Sequence, residues 1–94
     1  MKKRESKVEL QIWEYAEATG WFQAKIVSPG KNGIMDRVFI GYRVTLWGEI
    51  KREGEDASPL QVARAKEMTQ AGAIVFLWDN YDDAKSTLDS YRLL

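Results

Sequence analysis

Apolar side chains recur with helical spacing at the start of the chain, between residues 6 and 19. Ser6 and Glu9 have the spacing of a capping box, and Gly20 suits the position that follows a helix end. The first element is therefore predicted to be a helix that ends near Thr19. One stripe of this helix is apolar and contains Val8, Ile12, Trp13, Tyr15 and Ala16.

Three strands are predicted after this helix, because the spacing of apolar residues changes from helical to alternating. The first strand is expected within residues 21–28, and the loop sequence PGKNG follows it. The second and third are expected over residues 37–41 and 44–51. Only a few residues separate these two, so a hairpin is the simplest connection between them.

The second helix has the clearest start signal in the chain. Ser58 is a good N-cap residue, Pro59 suits the first helical position, and Gln61 completes a capping box. We expect this helix to end at Gly72. It is predicted to bury one stripe, which contains Leu60, Ala65, Met68 and Ala71.

An uninterrupted apolar run at residues 73–78 predicts a strand that is covered on both faces. Asn80 then caps a last helix, whose first turn contains Asp82 and Asp83, where acidic residues suit the helix dipole. The predicted order is therefore helix, three strands, helix, strand and helix. The apolar face of the last helix contains Tyr81, Ala84, Leu88 and Tyr91.

Two polar residues fall within the apolar stripes of the helices, Glu9 in the first helix and Gln61 in the second. An acid on the buried side of a helix needs a partner or a chemical role. The capping boxes are one explanation of these positions, and a functional site that faces the sheet is the other. The pattern alone leaves both explanations open.

The composition limits the chemistry that is available to this protein. The chain has 94 residues, which suits a single domain over residues 1–94, and it contains neither cysteine nor histidine. Thiolate and imidazole metal sites are therefore excluded, and any catalysis depends on carboxylates, lysines or hydroxyls. No stretch approaches the roughly 18 apolar residues of a membrane span, so we expect no membrane partner and a cytoplasmic location.

The neutral net charge conceals an asymmetry between the two halves of the chain. Residues 1–52 contain ten Lys and Arg against six Asp and Glu, whereas residues 53–94 contain four against eight. The basic half could meet a polyanion. Two mixed surfaces that merely differ explain the same numbers, and charge alone favours this second interpretation.

Charged residues at the strand ends form the candidate site. Glu49 and Lys51 share one face of the third strand, and Ile50 lies on the other. The hairpin brings Asp36, at the start of the second strand, within reach of Glu49. Two carboxylates and a carbonyl are the hard oxygen ligands that Mg²⁺ or Mn²⁺ prefers. Each signal by itself is also typical of a solvated strand end or a turn, so the prediction depends on their combination.

The segments SPGKNGIMDRVFIG, GEIK and SPLQ occur in an order that resembles the VRR-NUC branch of the PD-(D/E)xK nuclease superfamily. The resemblance extends from about residue 6 to residue 88. It implies an α/β fold with a restriction-endonuclease-like core, αβββαβ(α), in which a mixed four-stranded sheet is flanked by helices.

The resemblance also implies a divalent-metal-dependent nuclease that hydrolyses phosphodiester bonds. Asp36 matches the aspartate of the family motif, Glu49 and Lys51 match its E-x-K pair, and Gln61 matches the glutamine of the following helix. These four are the implied catalytic residues. Met35 departs from the pattern, because the family usually has proline there, and this departure affects local rigidity rather than the chemistry.

The metal ligands are likewise implied by the resemblance. Asp36, Glu49 and the main-chain carbonyl of Ile50 would bind Mg²⁺ or Mn²⁺, and Glu9 matches an acidic residue of the first helix that acts as an outer or second-metal ligand. These roles give a reason for a polar residue in each of the two apolar helix stripes.

Basic residues are candidates for contacts with a nucleic-acid backbone. A solubilising surface explains at least half of them equally well. The candidates are Lys25, Lys31, Arg37, Arg43 and Arg52, together with the MKKR tail at residues 1–4.

Stand-alone VRR-NUC domains of this size resemble Holliday junction resolvases, which act as symmetric dimers. The resemblance therefore implies a homodimeric, structure-selective DNA endonuclease of phage type, which would work in the host cytoplasm. Two alternatives remain open at this point: a nuclease that trims ends or nicks, and a nucleic-acid-binding module on the same fold that has lost catalysis.

Overall fold

The structure of the protein is a computed structural model that describes residues 6–94. The MKKR tail lies outside the described residues. Three helices and four strands follow one another in the predicted order. They are α1 (Lys7–Ala18), β1 (Phe22–Lys25), β2 (Arg37–Gly41), β3 (Val44–Ile50), α2 (Pro59–Gln70), β4 (Ile74–Trp78) and α3 (Tyr81–Arg92).

The four strands form one mixed sheet in the order β1-β2-β3-β4. The pairs β1–β2 and β2–β3 are antiparallel, whereas β3 and β4 are parallel. Parallel neighbours need a crossover connection, which α2 provides. The predicted α/β fold with a mixed four-stranded sheet is therefore confirmed.

The three helix starts also confirm the sequence prediction. The hydroxyl oxygen of Ser6 accepts a hydrogen bond from the main-chain N–H of Glu9, and Ser58 does the same for Gln61. Asn80 caps α3 by accepting from the main-chain N–H of Asp83. These caps satisfy donors that have no partner within the helix, so each helix begins where its cap residue stands.

The predicted hairpin joins β2 to β3 through a two-residue turn. Tyr42 and Arg43 occupy this turn with φ angles of 50° and 66°, a region that favours glycine or asparagine. The Tyr42 hydroxyl donates a hydrogen bond to the carbonyl of Thr19, and its ring packs edge-on against Trp21 at 5.0 Å. These contacts hold the turn against the end of α1.

The hydrophobic core lies between one face of the sheet and the helices α1 and α3. Phe39 and Leu46 face each other across β2 and β3, and Phe39 packs edge-on against Trp78 at 5.6 Å. A methyl group at Gly48 would approach the Trp78 ring to 2.9 Å, so only glycine fits there. The helices contribute buried Val8, Ile12, Ala16, Ala84 and Leu88.

The opposite face of the sheet is covered only in part, by α2. No residue of α2 is buried, and Leu60 is 44% exposed. The predicted buried stripe is therefore wrong: Leu60 and Ala71 are exposed, while Ala65 and Met68 are half-buried. The helix lies mainly over the edge strand β4, so its apolar side chains meet little of the sheet.

The prediction that the fourth strand is covered on both faces is also wrong in part. Trp78 is buried in the core, but Leu77 on the other face is 40% exposed. β4 is an edge strand, so it has a neighbouring strand on one side only. Within residues 6–94, no helix combines the length and the apolar character needed to cross a membrane.

Candidate active site

The ends of β2 and β3 bring the predicted carboxylates together. Arg37 pairs with Gly48 across the two strands, so Asp36 and Glu49 are the next residues along this antiparallel pair. The main-chain carbonyl of Asp36 also accepts a hydrogen bond of 2.7 Å from the N–H of Ile26, which joins this point to the end of β1. Asp36 is therefore tied to the end of β1 by its main chain and leads directly into β2.

Glu49 is buried, with only 6% of its surface exposed, although it is charged in its ordinary form. Burial raises its pKa, the nearby Asp36 raises it further, and Lys51 lowers it, with a net result of about 7. The Lys51 ammonium lies 3.9 Å from the Glu49 carboxylate. A carboxyl and an ammonium are thus adjacent on one strand face, as the E-x-K spacing predicted.

Asp36 has an elevated pKa as well. Burial is the main cause, the Arg37 guanidinium opposes it, and the Glu9 carboxylate adds to it. The Asp36 Oδ1 atom is buried and has no hydrogen-bond partner among the described residues. Such an atom costs free energy unless something else satisfies it, and a bound cation would do so.

Glu9 reaches the same place from α1. Its carboxylate raises the pKa of both Asp36 and Glu49, so the three acids lie close enough to repel one another. One Glu9 oxygen lies 3.4 Å from the main-chain nitrogen of Ser6, and the other lies 3.4 Å from the Arg37 guanidinium. The two explanations for Glu9 therefore coexist: it belongs to the capping box and it also borders the acidic cluster.

Gln61 has the capping role that the sequence left as one of two possibilities. Its side-chain oxygen accepts a hydrogen bond of 2.9 Å from the main-chain N–H of Ser58. α2 in turn supports the loop before Asp36: Leu60 contacts Gly33, and Arg64 donates to the carbonyl of Asn32 at 2.8 Å. Gln61 thus lies in the first turn of the helix that contacts this loop.

The side chain of Ile50 lies on the opposite face of the strand from the side chains of its two neighbours. Its side chain belongs to the hydrophobic core on the α1 and α3 face, whereas Glu49 and Lys51 share the other face. Only the main chain of Ile50 is therefore available to the acidic cluster, as the predicted carbonyl ligand requires. Met35, where the family has proline, is fully buried immediately before Asp36.

The basic residues that were predicted to contact nucleic acid lie in different parts of the fold. Lys25 lies on β1, close enough to lower the pKa of Asp36. Arg52 is exposed directly after Lys51 and borders an open cleft of about 540 Å³ between the starts of α1 and α3. Lys31 is exposed in the loop before Asp36, whereas Arg43 is exposed at the hairpin turn, at the opposite end of the sheet.

The burial of Arg37 does not fit the prediction that this residue contacts a nucleic-acid backbone. Only 1% of its surface is exposed, so a phosphate group on the outside of the protein has no access to it. Its guanidinium instead lies beside Glu9 and 4.9 Å from the centre of the Trp13 ring. The sequence analysis missed this pair, although Glu9 in an apolar stripe was a signal that a buried cation would be needed.

The donor atoms fit a hard divalent cation. Asp36 and Glu49 offer carboxylate oxygens, one of which has no partner, and the Ile50 main chain adds a carbonyl. Among residues 6–94, no three Asp or Glu side chains are already arranged around a common point as ligands. Water would therefore complete the coordination, as is usual for Mg²⁺.

Comparison with known proteins gives a consistent result. No protein-family model matches the chain, and no curated protein matches it significantly. One solved structure, described as "VRR_NUC domain", is 25% identical and matches 90% of this chain and 94% of its own, with a TM-score of 0.80. Another, described as "VRR_NUC domain protein", is 15% identical and shares the fold, with coverages of 95% and 90% and a TM-score of 0.69. The predicted resemblance is thereby confirmed, and the described chain has the VRR-NUC domain fold over nearly its whole length.

Proposed function

We propose that this protein is a divalent-metal-dependent endonuclease that hydrolyses phosphodiester bonds in DNA. The observation that carries the proposal is the buried Oδ1 atom of Asp36, which has no hydrogen-bond partner among the described residues of this VRR-NUC fold. Glu49 is next to Asp36, and the Lys51 ammonium lies 3.9 Å from the Glu49 carboxylate. A nuclease is the general function that the fold supports. The metal, the DNA structure and the assembly are the finer parts of the proposal.

Asp36, Glu49 and the Ile50 carbonyl are the residues that would hold Mg²⁺ or Mn²⁺. The ion, when bound, polarises a phosphate oxygen and acidifies a water molecule. Lys51 lowers the pKa of Glu49 and so favours the carboxylate form that binds a cation. Its ammonium also stands where it can orient the attacking water and offset negative charge that develops on the phosphate.

Exposed cations around the site supply the contacts to the DNA backbone. Lys25 lies at the end of β1, Arg52 directly follows Lys51, and Lys31 is in the loop that leads to Asp36. Such contacts position a strand without reading its bases. This arrangement supports recognition of DNA structure, for example at a four-way junction. The proposed place of action is the cytoplasm of a cell or of a phage host.

A homodimer is part of the proposal, because two cuts at a junction need two active sites. The part of the sheet that α2 leaves open exposes Phe22 to 64% and Ile40 to 43%, and a second copy would cover this apolar surface. Sedimentation equilibrium measures this directly. A monomer at micromolar concentration contradicts the dimer and leaves the chemistry of each site unaffected.

Cleavage of a labelled four-way junction, beside a linear duplex and a flap, tests the function. The wild type and Lys51→Ala are compared with Mg²⁺, with Mn²⁺ and with a chelator, and Lys66→Ala on the exposed side of α2 is the matched control. We expect metal-dependent cuts that Lys51→Ala slows by about a hundredfold or more and that Lys66→Ala retains.

The pattern of products separates the alternatives. Paired symmetric cuts at the junction support a resolvase, whereas loss of terminal nucleotides or single nicks indicates a trimming or nicking nuclease. Folded protein that binds DNA but cuts none of the substrates with either metal contradicts the catalytic proposal and indicates a binding module.

A further inference from the structure

Arg37 is a buried cation directly behind the acidic cluster, and the proposed chemistry does not use it. We infer that Arg37 is a positioning residue that keeps Glu9 from binding the metal directly, so that the site takes a single divalent ion. This inference rests on the proposed metal site, because it concerns how many ions that site accepts.

Arg37 is buried in contact with Glu9. It is fully enclosed, at 1% exposure, and its guanidinium lies 3.4 Å from the Glu9 Oε2 atom. The Trp13 ring lies on another side at 4.9 Å, where it can stabilise the cation through its π face. Breaking an ion pair that is buried this completely is costly, so moving Glu9 away from Arg37 to bind a metal is disfavoured.

The other oxygen of Glu9 also has contacts of its own. Oε1 lies 3.4 Å from both the main-chain nitrogen and the hydroxyl of Ser6, within the capping box of α1. A direct metal ligand has to turn an oxygen lone pair toward the ion. Turning a Glu9 oxygen toward an ion would weaken the helix cap or the ion pair, whereas Asp36 has an oxygen that is already without a partner among the described residues.

The net charge of the cluster also favours a single ion. Among residues 6–94, Glu9, Asp36 and Glu49 are the acids of the cluster, and Arg37, Lys51 and Lys25 are the cations that lie beside them or lower their pKa values. The three acids and three cations cancel, so one divalent ion gives the cluster a net charge of two positive units. The phosphodiester brings one negative charge, and another develops as hydroxide attacks it. A second ion would leave the cluster with excess positive charge, so Arg37 takes the place of that ion.

Counting bound Mn²⁺ on the full-length protein tests the inference without measuring cleavage. The metal-free protein is titrated with Mn²⁺ while the free ion is followed by electron paramagnetic resonance, and Asp36→Asn is the control that defines binding at this site. We expect one Asp36-dependent Mn²⁺ per chain in the wild type. Glu9→Gln is expected to retain one ion with an affinity lowered by about tenfold, as when a neighbour of a ligand is changed.

Arg37 variants complete the experiment. Arg37→Met frees Glu9 and removes a positive charge, so a second Mn²⁺ should bind, and the additional change Glu9→Gln should remove it again. Arg37→Lys keeps the charge and should retain one ion. Circular dichroism shows whether each variant folds, and if Arg37→Met does not, the wild type and Glu9→Gln decide the question.

The outcomes distinguish this inference from the proposed function. Two Asp36-dependent ions in the wild type, or one ion in a folded Arg37→Met variant, overturn the role given to Arg37 and leave the metal site in place. No Asp36-dependent Mn²⁺ in the wild type overturns both the inference and the proposed metal site.

Discussion

The two faces of the sheet differ in how completely they are covered. On one face α1 and α3 enclose Phe39, Leu46 and Trp78, all at most 4% exposed. On the other face α2 leaves Phe22 and Ile40 largely exposed and buries none of its own residues. Most of the free energy of burial therefore comes from one face, while the other stays accessible.

The candidate site lies where these two faces meet, at the ends of β2 and β3. The enclosed face supplies Glu9 and Arg37, whose positions are set by packing. The partly open face supplies Asp36, Glu49 and Lys51, with the Lys51 ammonium 3.9 Å from the Glu49 carboxylate. Rigidity and access, which a catalytic site needs together, therefore come here from opposite sides of one sheet.

The largest expected change in the free energy of unfolding comes from a substitution on the enclosed face, which is compared with one on the open face. Phe39→Ala removes a fully buried ring and should lower the free energy of unfolding by about 3–5 kcal/mol. Phe22→Ala, on the open face at 64% exposure in the single chain, should change the free energy of unfolding of the monomer, measured at a protein concentration too low for dimers, by no more than about 0.5 kcal/mol. Chemical denaturation measures both, and equal losses would contradict the contrast between the faces.

The next effect concerns pH in the metal-free protein. Burial raises the pKa of Glu49 from its usual value near 4.5 to about 7, so the folded state holds this proton more tightly than the unfolded chain does. The contribution to stability is complete below pH 4.5 and is lost as the pH rises through 7, by up to about 3 kcal/mol. Asp36 shifts in the same direction.

Thermal unfolding in a chelator between pH 5 and 8 measures this loss, with Glu49→Gln as the control that should flatten it. This range lies above the titration of Asp89, whose pKa is lowered, first by the hydrogen bond from Tyr15. Stability of the wild type that rises across this range would contradict the burial of Glu49. Adding Mn²⁺ should weaken the dependence, because the ion competes with the proton.

A smaller effect tests how tightly the enclosed face is packed. Gly48→Ala places a methyl group 2.9 Å from the Trp78 ring and 3.3 Å from Phe39, and should cost about 1–3 kcal/mol. Gly30→Ala is the matched control, because nothing lies within 4 Å of its added carbon and its φ is not positive. Similar denaturation midpoints for the two variants would show that the packing at Gly48 can relax.

The smallest effect separates the two capping boxes. Ser58→Ala and Ser6→Ala each remove a helix cap and should each cost about 1 kcal/mol in the free energy of unfolding. Only Ser6 holds Glu9, so Ser6→Ala should also change the Mn²⁺ affinity, whereas Ser58→Ala should leave it unchanged. A change in affinity with Ser58→Ala would mean that α2 acts on the site more directly than its contacts indicate.

Local features of this protein were determined by the sequence itself. The caps at Ser6, Ser58 and Asn80 depend on residues three positions apart, and the alternation of Glu49, Ile50 and Lys51 follows from strand geometry. The hairpin that brings Asp36 to Glu49 follows from the short connection. Interactions of this range need no knowledge of the rest of the fold, and so the elements and the main carboxylates could be predicted.

Only the tertiary structure decided which surfaces meet. The apolar stripe of α2 was expected to be buried, yet the helix lies over an edge strand and remains mostly exposed. Arg37 was expected on the surface, yet it is enclosed beside Glu9, a residue 28 positions away in the chain. Burial and ion pairing depend on distant residues that share one volume, and a linear pattern does not contain that information.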